Sequence, residues 1–154
     1  MEVLERTPTS ILICCTNNAL RSPMADGMVK FLQEHVLSVS SVGIWVGTLD
    51  QFAVSVMDEV GIDISTHCPK SIENLTYSSF DLILSLSPGA QYQAVDMSQT
   101  TDNHLVFWNT FDPSTVEGNR EIRLAAYREV WDTLFNRFNG YFVDIGLSVA
   151  APNI

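Results

Sequence analysis

The sequence predicts an α/β fold: a single three-layer domain in which a four-stranded parallel sheet is flanked by helices on both faces. Two observations predict it. Short, nearly continuous apolar runs, as a strand buried on both faces requires, alternate with stretches whose apolar residues recur at helical spacing. No internal repeat, low-complexity tract or linker divides the chain, so the β-α-β-α-β-α-β-α order closes into one sheet with right-handed crossovers.

Each element has its own signal. Ser10 to Cys15 (SILICC) is the first strand. From Pro23, a residue suited to the first helical position, Met24, Met28, Phe31, Leu32, His35 and Val36 trace one helix face. Val39 to Val42 reads as the second strand. Phe52, Ala53, Val56, Met57 and Val60 form the second helical face, and Gly61 is placed to end it. Asp81 to Leu86 (DLILSL) is the third strand, Pro88 to Met97 the third helix, and His104 to Trp108 the fourth strand. The last helix is predicted over 119–138, with Ile122, Ala126, Val130, Leu134 and Phe138 inward and Gly140 after it. Ligands of such sheets bind beyond the carboxyl ends of the strands, where strand order reverses, so function is expected in the loop after the first strand.

Composition narrows the partners. At 154 residues and 46% apolar content, a globular chain buries roughly 68–70% of its unfolded surface, enough for one core. Eighteen acidic against eight basic residues give a formal charge of −10. That surface repels phosphate backbones and anionic lipid, so neither nucleic acid nor membrane is an expected partner. The cysteines Cys14, Cys15 and Cys68 are odd in number and lack C-x-x-C or zinc spacing, which argues against a disulfide framework and a zinc ribbon. Met1 to Ser10 lacks the basic and apolar segments of a signal peptide, and no run approaches the roughly 18 apolar residues of a membrane span. A soluble cytoplasmic protein, monomeric or weakly dimeric, is the expectation.

The loop Cys15-Thr16-Asn17-Asn18-Ala19-Leu20-Arg21-Ser22-Pro23 carries the chemistry. Backbone N–H groups of a short loop feeding a helix N-terminus point inward and bind an oxyanion, aided by the helix dipole. Arg21 adds a planar fork of donors that can hold two phosphate oxygens and never loses its charge. Such surroundings favour a thiolate at Cys15, a good nucleophile toward a bound phosphoryl group. Ser22 can donate its hydroxyl to that thiolate. Strand alternation turns Cys14 to the opposite face, where it packs as inert core.

Together these residues make the sequence similar to the low-molecular-weight protein tyrosine phosphatases, whose fold thioredoxin-coupled arsenate reductases share. Ile11 to Ala25 resembles the family signature V-C-x-G-N-x-C-R-S-P-x-A; Ser41-Val42-Gly43 resembles its S-A-G, and Gly61 to His67 its G-I-D-x-S-x-H. Phe80 to Leu84 matches the third strand, and Asp112-Pro113 the acid-loop D-P. The family-like core spans about 10–138 of one domain covering 1–154, leaving 139–154 as a tail of unknown role.

The resemblance implies a two-step mechanism that needs neither metal nor cofactor. Cys15 attacks phosphorus while Arg21 and the amides of Thr16, Asn17, Asn18, Ala19, Leu20 and Ser22 hold the equatorial oxygens. Asp112 protonates the leaving phenolate, then serves as base for the hydrolytic water. Pro113 gives Asp112 an independent rationale, fixing the backbone just after it on a loop beyond the fourth strand. Asn18, Ser22, Ser41 and His67 are implied to form a supporting network, with Asn18 suited to a left-handed backbone. The implied substrate is a phosphotyrosine protein or aryl phosphate, turned over with a bell-shaped pH profile. The acidic surface favours basic-flanked phosphopeptides.

Departures from the pattern are informative. The family's loop glycine is Asn17, which requires an ordinary φ or an outward side chain; its second loop cysteine is Leu20, so disulfide protection of the nucleophile is absent. Ser114-Thr115 replace a tyrosine pair and Ser87 replaces an acidic residue; Trp45 is expected to supply an aromatic wall. Thioredoxin coupling needs two further cysteines after the third strand, and none follows Cys68. An arsenate reductase coupled to a small thiol remains the alternative, with a non-catalytic phosphate or phosphopeptide binder behind it.

Overall fold

The computed structural model describes residues 8–33, 37–75 and 79–146. Eight principal elements follow one another: β1 (Ser10–Cys15), α1 (Arg21–Leu32), β2 (Ser38–Gly43), α2 (Gln51–Glu59), β3 (Leu82–Ser85), α3 (Pro88–Met97), β4 (His104–Phe107) and α4 (Arg120–Asp144). The sheet is entirely parallel in the order β2-β1-β3-β4. From β1 the chain crosses to one side for β2 and returns to the other for β3. The carboxyl end of β1 is therefore the reversal point, and Cys15 stands on it.

Alternation along β1 divides the core into two layers. Ile11, Ile13 and Cys15 pack with residues of α1, α2 and α4, whereas Leu12 and Cys14 pack with Val42, Ile83 and the α3 residues Ala90 and Ala94. The helices thus cover both faces, as predicted. Cys14 and Cys15 are each 2% exposed but belong to different layers. Burial pushes the Cys14 thiol up to about 12, so it stays protonated and unreactive at neutral pH.

Two helices differ from their sequence patterns. α1 starts two residues before Pro23, with Leu20 as N-cap and the Leu20 carbonyl accepting from Met24 N at 2.9 Å. Proline is tolerated there because the first helical turn has no intrahelical use for an N–H. Arg21 consequently opens the helix, and no side chain caps its orphan N–H groups. His35 and Val36, assigned to this face, lie outside the described residues.

α4 does not stop near Phe138 but runs through Gly140 to Asp144. Burial of Tyr141 and Phe142 offsets the roughly 1 kcal/mol that a helical glycine costs. Its inward face is Leu124, Tyr127, Val130, Trp131, Leu134 and Phe138; Ile122 is 53% exposed and Ala126 only partly buried. Strict steps of four overrun the 3.6-residue turn, so a stripe anchored on Phe138 rotates off the core by Ile122.

Candidate active site

The loop from Cys15 to Leu20 is shaped by the segment following β2. Ile44, Trp45, Gly47 and Asp50 donate their backbone N–H groups to the carbonyls of Cys15 (3.1 Å), Thr16 (2.9 Å), Asn17 (2.8 Å) and Ala19 (2.9 Å). Across a trans peptide the N–H opposes the C=O. Anchoring four carbonyls outward therefore turns the N–H groups of Thr16, Asn17, Asn18 and Leu20 to the concave side. The Asn18 N–H accordingly points at Cys15 Sγ, 3.3 Å away. With the uncapped start of α1, this is a nest of N–H donors facing one concavity, an arrangement that suits an oxyanion.

Gly43 makes the close approach possible. A Cβ there would lie 2.6 Å from Asn18 N and 2.7 Å from the Asn17 carbonyl carbon, inside any tolerable contact. Asn17 satisfies both conditions set by its replacement of glycine: it is exposed, and its φ is not positive. The left-handed residue is Asn18, with φ 51°.

Asn18 is fully buried and organises four neighbours. Its Nδ2 donates to Ser22 Oγ (2.8 Å) and Ser41 Oγ (3.0 Å). Its Oδ1 accepts from Lys70 N (3.0 Å) and faces His67 Nε2 at 2.9 Å. With Oδ1 the acceptor, Nε2 must carry a proton. Burial holds the His67 pKa below its ordinary value, so the ring is the neutral Nε2–H tautomer near pH 7. Direction then propagates through the network: Ser22 Oγ accepts from Asn18, leaving its own hydrogen for Cys15 Sγ at 2.8 Å. The hydroxyl is thereby oriented to donate to the sulfur.

Arg21 lies on the wall of this site with its side chain 11% exposed, where water screens its charge poorly. It donates to the Thr110 carbonyl (3.1 Å) and to Thr16 Oγ1 (3.4 Å). Thr16 in turn donates to Ser87 Oγ (3.1 Å), the N-cap of α3. Asp112 comes from the loop after β4 and caps the short turn Pro113–Thr115. Its Oδ1 accepts from Ser114 N (3.0 Å) and Ser114 Oγ (2.7 Å), while Oδ2 stands 4.0 Å from the Arg21 guanidinium.

These groups meet around one open cavity lined by Cys15, Asn17, Ala19, Leu20, Arg21, Thr48, Asp50, Asp112 and Ser114. Trp45 is not among the residues lining this cavity; it is 66% exposed, and its backbone N–H supports the loop at Thr16. Cys68 is a free, exposed thiol. Among the described residues no three His, Cys, Asp or Glu side chains converge to hold a metal ion.

Sequence reasoning missed Thr48 and Asp50. Asp50 caps α2, accepting from Phe52 N (2.8 Å) and Ala53 N (3.4 Å), receives the Tyr127 hydroxyl from α4 at 2.5 Å, and holds the Ala19 carbonyl with its own N–H. An aspartate directly before an apolar helical face is a helix-start signal, and it could have placed this residue beside the loop.

The sequence profile of the low molecular weight phosphotyrosine protein phosphatases matches residues 10–141. An arsenate reductase of Bacillus subtilis is 32% identical over 133 residues, covering 85% of this chain and 93% of that protein. A glutaredoxin arsenate reductase of Synechocystis is 36% identical over 76 residues, 49% of this chain and 58% of that protein. Among solved structures, a tyrosine phosphatase from Erwinia amylovora superposes with a TM-score of 0.77 at 19% identity, covering 94% of this chain and 98% of that one. An arsenate reductase in its phosphate-binding state gives 0.70 at 26% identity, covering 90% and 99%. With the signature loop, the parallel sheet and a profile spanning most of its length, the chain belongs to the low molecular weight phosphotyrosine protein phosphatase family.

Proposed function

We propose that the protein is a phosphomonoester hydrolase, a protein tyrosine phosphatase, working through a cysteinyl-phosphate intermediate. One observation carries this reading: the Asp112 carboxyl shares a cavity with Cys15 and Arg21, so a nucleophile, an anion clamp and an acid address one bound group. The Cys15 thiolate forms the S–P bond as the ester P–O bond breaks, and Asp112 gives its proton to the departing oxygen. Water then attacks phosphorus, Asp112 takes its proton, and the S–P bond breaks to return thiolate and inorganic phosphate. Loop amides and Arg21 hold the nonbridging oxygens throughout, and the Ser22 hydroxyl steadies the sulfur as nucleophile and leaving group.

The names of the curated relatives favour a second reading, arsenate reduction. Cys15 and the same oxyanion cradle would take arsenate. With no cysteine after Cys68, electrons would come from a small thiol rather than from a relay of protein cysteines.

Assays in chelator-treated buffer separate the two. Hydrolysis of an aryl phosphate by the wild type, abolished in Cys15→Ser with phosphate binding retained, is the expected result. Turnover surviving in Cys15→Ser overturns the cysteinyl-phosphate route. Arsenate reduction with glutathione and glutaredoxin, without aryl phosphate hydrolysis, establishes the second reading instead.

A further inference from the structure

Arg120 and Arg123 open α4 on a chain of net charge −10, and both break a local rule. Cations are unfavourable at a helix N-terminus, where the dipole is positive. Eighteen carboxylates were available to compensate, yet among the described residues neither arginine makes an ion pair. Glu121, the acidic residue of that first turn, stands 4.0 Å from Arg128, seven positions further on. Both guanidiniums lie instead over the ring of Phe52, at 5.4 Å for Arg120 and 4.4 Å for Arg123.

That cluster adjoins the cavity. Phe52 follows Asp50 by two residues and packs on Tyr127 with ring centroids 5.5 Å apart; the Tyr127 hydroxyl bonds Asp50, which lines the cavity. On the other side, the turn Pro113–Thr115, whose Ser114 also lines the cavity, packs against α4. The charge of Arg123 is felt at the Tyr127 hydroxyl against those of Asp50 and Asp112. Arg120 is exposed, and Arg123 and Phe52 are half-buried, so the guanidiniums are pre-positioned yet reachable. Two cations that open a helix and are held by an aromatic ring rather than paired to a carboxylate, beside a cavity, break a local rule where function tolerates it.

We propose that Arg120 and Arg123, stacked on Phe52, form a subsite for a carboxylate flanking the phosphorylated residue, so that the substrate is an acidic phosphopeptide. This rests on the phosphatase reading and reverses the preference for basic flanks that net charge suggests. Global charge governs approach from a distance, but within a Debye length of about 8 Å the local pair decides.

Two peptides identical except for glutamate or lysine beside phosphotyrosine provide the test. For the wild type, kcat/KM is expected to favour the glutamate peptide roughly 3- to 10-fold at low salt, the range set by one or two exposed charge pairs. The ratio should shrink in high salt and fall to about one in Arg120→Gln/Arg123→Gln, with Arg120→Gln alone between. Binding of both peptides to Cys15→Ser, read by fluorescence anisotropy, measures the same preference without turnover. Absent hydrolysis with a persisting binding preference defeats the phosphatase reading alone. A lysine preference, or a glutamate preference unchanged in the double variant, overturns the subsite.

Discussion

Replacing Asn18 by alanine tests the site at the residue on which most of it converges. The substitution deletes an amide that bonds Ser22 Oγ, Ser41 Oγ, Lys70 N and His67 Nε2 at 2.8–3.0 Å. It strands the Lys70 and His67 donors, at about 1–2 kcal/mol each. It also places a Cβ-bearing residue without a compensating side-chain bond at φ 51°, for about 1–2 kcal/mol more. A total loss of about 3–6 kcal/mol is expected, a large share of the roughly 5–15 kcal/mol stability of a typical domain. Asn18→Gly loses the same bonds but adopts the backbone freely, so it should be about 1 kcal/mol more stable than Asn18→Ala. Asn18→Asp keeps acceptors for Lys70 and His67 but cannot donate to Ser22; that hydroxyl turns to the carboxylate, and the thiolate loses its donor. Turnover should fall further than stability in that variant. Equilibrium urea denaturation of all three, alongside kcat on an aryl phosphate, reads the series. Asn18→Ala within about 1 kcal/mol of wild type, or Asn18→Gly less stable than Asn18→Ala, would refute the reasoning.

Three other outcomes follow from the same geometry. Asp112→Asn should lower turnover by about 10²–10⁴-fold, with the loss growing as the leaving group becomes more basic; an unchanged rate on a poor leaving group removes Asp112 from proton transfer. Tyr127→Phe deletes the hydroxyl that steadies Asp50, whose N–H holds the Ala19 carbonyl. Competitive inhibition by inorganic phosphate should therefore weaken several-fold with KM rising more than kcat falls; an unaltered inhibition constant severs that connection. Because burial lowers the His67 pKa below 6.5, the unfolded chain binds the proton first. The His67 contribution is thus complete above about pH 6.5 and is lost as pH falls toward the lower folded pKa, by at most about 1.4 kcal/mol per pH unit. Urea midpoints across that window should decline with acidity less steeply in His67→Gln than in wild type, and parallel declines would contradict the buried neutral ring.

Much of this structure is legible in local sequence because local and tertiary requirements coincide. SILICC reads as a strand buried on both faces, and the strand spans Ser10–Cys15 as read; Ser87-Pro88 carries both a cap and a first-turn proline, and α3 runs Pro88–Met97 as predicted. The C-x5-R-S spacing, set between that strand and a helix, singles out the loop on which Cys15, Arg21 and the α1 N-terminus converge. What sequence does not announce is the far side of each contact. Nothing local says that Ile44, Trp45, Gly47 and Asp50 will anchor four loop carbonyls, or that the Thr110 carbonyl will hold Arg21. Trp45 looks like a pocket wall by residue type, and nothing in its local sequence says that its backbone N–H will also hold the Thr16 carbonyl. The continuation of α4 past Gly140 depends on an apolar surface supplied by Trp108 and Phe138, whose rings approach Tyr141 and Phe142. That surface exists only once the sheet has formed.

In the proposed reaction Cys15 becomes covalently phosphorylated during turnover. Rapid acid quenching of the enzyme mixed with excess aryl phosphate, followed by peptide mass spectrometry, measures it directly. A phosphoryl group on the Cys15 peptide is predicted, appearing before steady state, accumulating in Asp112→Asn when the leaving group is good, and missing in Cys15→Ser. A label on any other residue, or steady turnover with no labelled peptide while Cys15→Ser remains active, would contradict it.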